Sequence, residues 1–86
     1  MTLRKVYLFV EKNNRKCDEI EKLLMSLNVP YEKIYVDENH VKGLMLREYG
    51  TAEVPMIATI SEVIIGVENI KEFIKRNFQM QEVNTY

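Results

Sequence analysis

Lys5 to Val10 (KVYLFV) is an almost unbroken apolar run, rich in β-branched and aromatic residues. A half-exposed strand alternates apolar with polar residues. This one does not, and it reads as a strand buried on both faces, which needs a packed layer above and below it. A chain of 86 residues has room for one such domain.

The rest of the chain supplies those layers. Beyond the polar stretch Glu11 to Arg15, the residues Cys17, Ile20, Leu23, Leu24 and Leu27 recur at spacings of three and four and form one helical stripe. Asn13 or Asn14 can cap that helix, and Asn28-Val29-Pro30 ends it, because the residue before a proline resists the helical region. Tyr31 to Val36 alternates as a second strand. Asp37-Glu38-Asn39 offers caps for a helix through Tyr49 with Val41, Leu44, Met45 and Tyr49 as its stripe. Gly43 costs that helix about 1 kcal/mol relative to alanine, and Gly50 reads as its stop.

Val54 to Ile60 and Glu62 to Ile65 are separated only by Ser61, which predicts an antiparallel hairpin. Pro55 has no N–H to give a ladder and sits awkwardly in the first of these strands. Gly66 breaks the run before a last helix with Val67, Ile70, Phe73, Ile74 and Phe78 on one face. The expected fold is α/β, in the order β-α-β-α-β-β-α: a mixed four-stranded sheet flanked by helices, opened by a right-handed parallel βαβ unit. The domain is expected over residues 1–78, with 79–86 as a frayed polar tail. Met25, Met45 and Met56 fall at positions suited to packing, and the tyrosines Tyr7, Tyr31 and Tyr35 fit strands.

Charge and cysteine usage narrow the function. Twelve Lys and Arg against 13 Asp and Glu leave a net charge of −1, so no basic excess exists to attract nucleic-acid phosphates. One cysteine cannot form an internal disulfide, and one Cys with one His, His40, makes no metal site. The N-terminal apolar run is too short for a secretory leader, and no segment approaches the ~20 apolar residues that span a bilayer. These features predict a soluble protein of a reducing compartment, the cytoplasm, without nucleic-acid or membrane partners.

Three segments carry a family likeness. Cys17 followed by Ile20, Leu23 and Leu24 resembles the stretch after the second cysteine of a glutaredoxin Cys-Pro-Tyr-Cys motif. Arg47-Glu48-Tyr49-Gly50, then Glu53-Val54-Pro55, resembles the segment that carries the family's cis-proline. Ile64 to Ile70 (IIGVENI) resembles the turn into the family's last helix. Together they span roughly residues 4–77 in family order, and the likeness implies the thioredoxin fold at glutaredoxin size.

The resemblance also implies where chemistry would sit. Aligned on Cys17, the family's nucleophilic first cysteine is replaced by Asn14, and the intervening pair is Arg15-Lys16. An amide is no nucleophile toward a disulfide, although it caps a helix well. Val54, before the cis-proline Pro55, would present main-chain groups to glutathione or a peptide. Gly66 and Glu68 would lie at the γ-glutamyl end of such a ligand. The family's carboxylate-binding lysine is Glu11 here, with Lys12 adjacent as a substitute, and Glu53 stands beside the proline in place of threonine. Iron–sulfur binding needs the missing first cysteine and is not expected.

Three functions remain open at this level. One is a binding module with a degenerate redox site (NRKC for CPYC) that takes a thiol or a peptide at Lys12, Asn14, Arg15, Val54, Pro55, Gly66 and Glu68. Glutathione is the candidate ligand, and no cofactor is fixed. Another is an atypical glutathione-dependent thiol–disulfide oxidoreductase using Cys17, acidified by Arg15, Lys16 and the helix start. The last is a regulatory interaction module working through another surface, for instance as a dimer, for which an apolar patch elsewhere would speak. Cys17 also has a simpler reading, as a small apolar side chain on the helix stripe.

Overall fold

The computed structural model describes residues 5–78. The seven elements follow the expected order: β1 (Val6–Val10), α1 (Arg15–Ser26), β2 (Tyr31–Tyr35), α2 (Val41–Tyr49), β3 (Met56–Ala58), β4 (Val63–Ile65) and α3 (Val67–Phe78). The tail expected to fray, residues 79–86, lies outside the described residues. The sheet order is β2-β1-β3-β4, with β1 parallel to β2 and antiparallel to β3, and β3 antiparallel to β4.

Strand alternation divides the core into two layers. Val6, Leu8, Val10, Ile57 and Ile64 face α1 and α3, where Cys17, Ile20, Leu24, Ile70, Phe73 and Ile74 meet them. Phe9, Met56 and Ala58 face the other way and pack with Val36 and with Met45 of α2. The continuous apolar run of β1 thus serves two layers, as its composition requires.

α1 starts at the cap Asn14. It ends where Asn28 adopts a left-handed φ of 57° and the Val29 N–H bonds to Leu24 O at 3.0 Å. The turn is therefore made by Asn28, before Pro30 exerts its restriction. Met25, expected in the core, is exposed on the outer side of α1, whereas Met45 and Met56 are buried.

α2 departs most from the expected pattern. Its cap is not in Asp37-Glu38-Asn39: the helix begins after His40, which takes a left-handed conformation and gives no side-chain cap. Of the expected stripe, Met45 alone is fully buried and Leu44 faces solvent. Gly50 closes the helix at φ 78° with its N–H on Leu46 O, as the sequence indicated.

The hairpin strands are shorter than predicted. Pro55 precedes β3 rather than joining it, and Thr59 ends it, because its Oγ1 accepts from the N–H groups of Ser61 (3.2 Å) and Glu62 (3.1 Å). That tight side-chain turn leaves Ile60 fully exposed at its tip.

The outer edge of the sheet is pinned to α1 by Glu21. Its carboxylate accepts from the Tyr31 hydroxyl at 2.6 Å and from Lys33 Nζ at 3.1 Å. Burial alone would raise the Glu21 carboxyl, but the bonds from Tyr31 and Lys33 outweigh it and hold it below its ordinary value. A carboxyl lowered by folding stabilises above its unfolded pKa, and that gain is lost as pH falls through the folded value. Glu21→Gln should therefore lower stability by about 1 kcal/mol at neutral pH. Urea unfolding at pH ~7 and pH ~3 checks this: the gap between variant and native protein should close in acid.

Candidate functional site

The register brings three connections to one end of the sheet. Phe9 pairs with Met56 and Met56 with Ile65. The loop after β1, the loop before β3 and the turn after β4 consequently emerge side by side. Asn14, Val54-Pro55 and Gly66 belong to these three connections.

In the first, Asn13 turns the chain with φ 59°, and Asn14 is extended, as a cap residue must be. Both ends of the Asn14 amide are engaged. Oδ1 accepts from the Cys17 N–H at 3.1 Å, and Nδ2 donates to Glu11 Oε1 at 3.3 Å. Glu11 Oε2 in turn meets Lys42 Nζ of α2 at 3.4 Å, while Lys12 Nζ pairs with Glu38 Oε2 at 2.7 Å. The loop is thereby tied to the segment that leads into α2. Lys12, expected as a ligand contact, already has an acid partner.

Cys17 lies one turn inside α1 with 1% of its surface exposed. Burial pushes its thiol up; the acids Glu11 and Asp18 add to that, and the Glu11 main-chain N–H opposes it. Arg15 and Lys16 are exposed and form no ion pair among the described residues. Of the two readings of Cys17, the burial agrees with the small apolar side chain on the helix stripe and not with an exposed, acidified thiol. The side chain packs into the core, where desolvation outweighs the bond from the Glu11 main chain.

In the second connection the Val54–Pro55 peptide is cis and Pro55 is buried. Val54 is half-buried, and its main-chain N–H and C=O make no hydrogen bond among the described residues. Glu53 is exposed, with its N–H on Thr51 Oγ1 at 3.2 Å. The third connection is joined to the second: Gly66, at φ 94°, donates its N–H to Pro55 O at 3.0 Å. A left-handed φ there favours glycine.

Glu68 stands apart from this group. It is exposed in the first turn of α3 and lines a hollow of about 290 Å³ between α1 and α3, with Leu23, Lys71 and Lys75. A separate hollow of about 260 Å³ lies beside the β1–α1 loop, lined by Lys12, Asn13, Asp18, Glu21, Lys33 and Tyr35. Neither hollow is lined by Asn14, Val54 or Gly66. His40 is exposed. Among the described residues no cluster of three metal-ligating side chains occurs, and no helix is long and apolar enough to cross a membrane.

Sequence reasoning missed Glu38 and Lys42. Each meets its partner across a separation of more than 25 residues, created by the parallel pairing of β1 and β2, and no local pattern announces such a contact.

No protein-family model matches this sequence, and no curated protein matches it. Solved structures do. A mutant of a thioredoxin-like protein superposes with a TM-score of 0.75 at 20% identity, over 88% of this chain and 99% of that one. The buckwheat glutaredoxin–glutathione complex gives 0.71 at 19%, over 88% and 73% of the two chains. A glutaredoxin from Archaeoglobus fulgidus gives 0.67 at 19%, over 84% and 87%. At such identities the agreement is one of backbone path, and a fold alone assigns no activity. With its strand order and its helices on both faces, this chain has the thioredoxin-like fold in the size and form of a glutaredoxin.

Proposed function

We propose that this protein is a binding module built on a glutaredoxin scaffold, with little or no disulfide reductase activity. It takes a thiol compound or an extended peptide at the loop cluster of Asn14, Val54 and Gly66. The observation that carries this reading is the state of Asn14. Its amide is spent on the helix cap and on Glu11, at the position where exchange chemistry needs a thiolate. The one thiol present is buried and raised in pKa.

Binding does not need that thiolate. The N–H and C=O of Val54, which have no partner among the described residues, suit the main chain of an added extended segment, whatever its side chains. Glutathione is one candidate, since a solved relative of the same fold is a complex with it. The subsites for it are altered here: Glu11 stands where a lysine is expected, Lys12 is paired with Glu38, and Glu68 faces the α1–α3 hollow. A reducing compartment, the cytoplasm, fits a protein with a single free cysteine.

Glutathione-dependent reduction of a small disulfide tests the reading, with native protein, Asn14→Cys and Cys17→Ser side by side. The native rate should equal the blank, while Asn14→Cys should raise it at least ~100-fold, because a helix-start thiolate can then attack and expel a thiolate. A native rate well above blank that Cys17→Ser abolishes would overturn the proposal. Binding is read separately, as amide shifts at Val54 and Gly66 on adding glutathione or a cysteine-containing peptide.

A further inference from the structure

The cations around the loop cluster fall into two groups. Lys12 and Lys42 are each held by an acid of the protein, Glu38 at 2.7 Å and Glu11 at 3.4 Å. Arg15 and Lys16, the first two residues of α1, are exposed and have no acid partner among the described residues. The acids at helical spacing from them are engaged elsewhere: Asp18 lines the hollow that Lys33 also lines, and Glu19 meets Lys71 of α3 at 2.7 Å. The positive end of the helix dipole is the least favourable place on α1 for two cations. The pair therefore costs the helix stability and gains no ion pair in return.

We propose that the segment taken at the loop cluster is an acidic peptide, its carboxylates meeting Arg15 and Lys16 while its main chain pairs with Val54. This rests on the reading of that cluster as a binding site. Val54 packs against the core cluster that contains Cys17, so it and the opening turn of α1 border one end of the same core. Its N–H and C=O have no partner among the described residues, which leaves them to an added strand. An extended segment advances about 3.3 Å per residue, so the carboxylates lie within a few residues of the one on Val54.

The other charges at this end of the sheet set the side on which the acids lie. Glu53, exposed next to Val54, repels a carboxylate placed beside it. Arg47 and Glu48, exposed at the end of α2, are adjacent and offset each other. Glu68 lines the hollow between α1 and α3 with Lys71 and Lys75. What remains is a positive flank at the start of α1 and a negative one at Glu53. The peptide is accordingly acidic towards α1 and carries no acid beside Glu53.

The experiment measures binding of labelled peptides with a Thr-Val-Thr centre and a pair of Glu, Gln or Lys residues at one end or the other. Fluorescence anisotropy gives the affinity, and amide shifts at Val54 give the place. With its acids at the favoured end, the Glu peptide should bind native protein at least ~5-fold tighter than its Gln counterpart at low salt, and the gap should close at high salt. The double variant Arg15→Glu with Lys16→Glu should prefer the Lys peptide instead, and Glu53→Lys should let the Glu peptide bind with its acids at either end. The double variant should melt no lower than the native protein, because acids suit a helix start. No binding and no shift at Val54 would remove the site itself, and this proposal with it. Peptides that shift Val54 but bind alike whatever their charge would leave the site standing and overturn its acidic preference. A preference that survives in the double variant would equally overturn it.

Discussion

Treated with iodoacetamide at pH ~8, the folded protein is expected to lose its thiol at least ~100-fold more slowly than the same protein in denaturant. Two properties of Cys17 combine in that figure. The sulfur lies in the cluster of Val10, Ile20 and Leu24 with almost no exposed surface, so alkylation waits for the first turn of α1 to open. Its raised pKa also lowers the thiolate fraction available in the closed state. An opening cost of about 3 kcal/mol already accounts for ~150-fold protection. Asn14→Ala removes the cap of that turn, worth about 1 kcal/mol, and should speed the reaction ~5-fold. Equal rates in folded and unfolded protein would put Cys17 at the surface and restore the case for thiol exchange.

The largest effect on stability is expected from Phe73→Ala. Phe73 is the largest fully buried side chain, on the face of α3 that packs with α1 and the sheet, and its ring meets Phe78 edge-on at 6.2 Å. Truncating a buried phenylalanine costs about 3–5 kcal/mol. A domain of this length holds only about 4–13 kcal/mol in all, so the variant should lose about a quarter or more of its stability and melt well below the native protein. Urea denaturation followed by far-ultraviolet circular dichroism gives the difference. A loss below 1 kcal/mol would mean that α3 is not seated as described.

Where periodicity is strong, the sequence was a sufficient guide. The β1 run and the stripes of α1 and α3 reappear as the two-sided strand and the buried helix faces, since burial at a fixed spacing leaves its mark residue by residue. It was insufficient where side chains and single backbone conformations decide. Thr59 cuts β3 short by bonding its own turn, His40 begins α2 without a cap, and Leu44 faces water although it lies on the apparent stripe. At the candidate site, the Asn14 cap was legible because capping is local. The pairing of Glu11 with Lys42 and of Lys12 with Glu38 was not, because it arises only when β2 lies beside β1. The direction of the Cys17 pKa shift followed from the stripe it shares with Ile20 and Leu24 more than from its cationic neighbours in sequence.

The cap at Asn14 bears on how such a chain can change. Codons for cysteine and asparagine differ at two bases, so exchange between them at this position passes through an intermediate. One single-base route runs through serine, which is itself a strong cap, and the other through tyrosine, which is not. On the serine route the Cys17 N–H keeps a side-chain acceptor once the thiol is gone, and the helix start is never left bare. Loss of a nucleophile at this position is therefore a downhill walk for the fold, with each step as stable as the last or more so. Regaining it runs uphill, because the second base change gives up the cap.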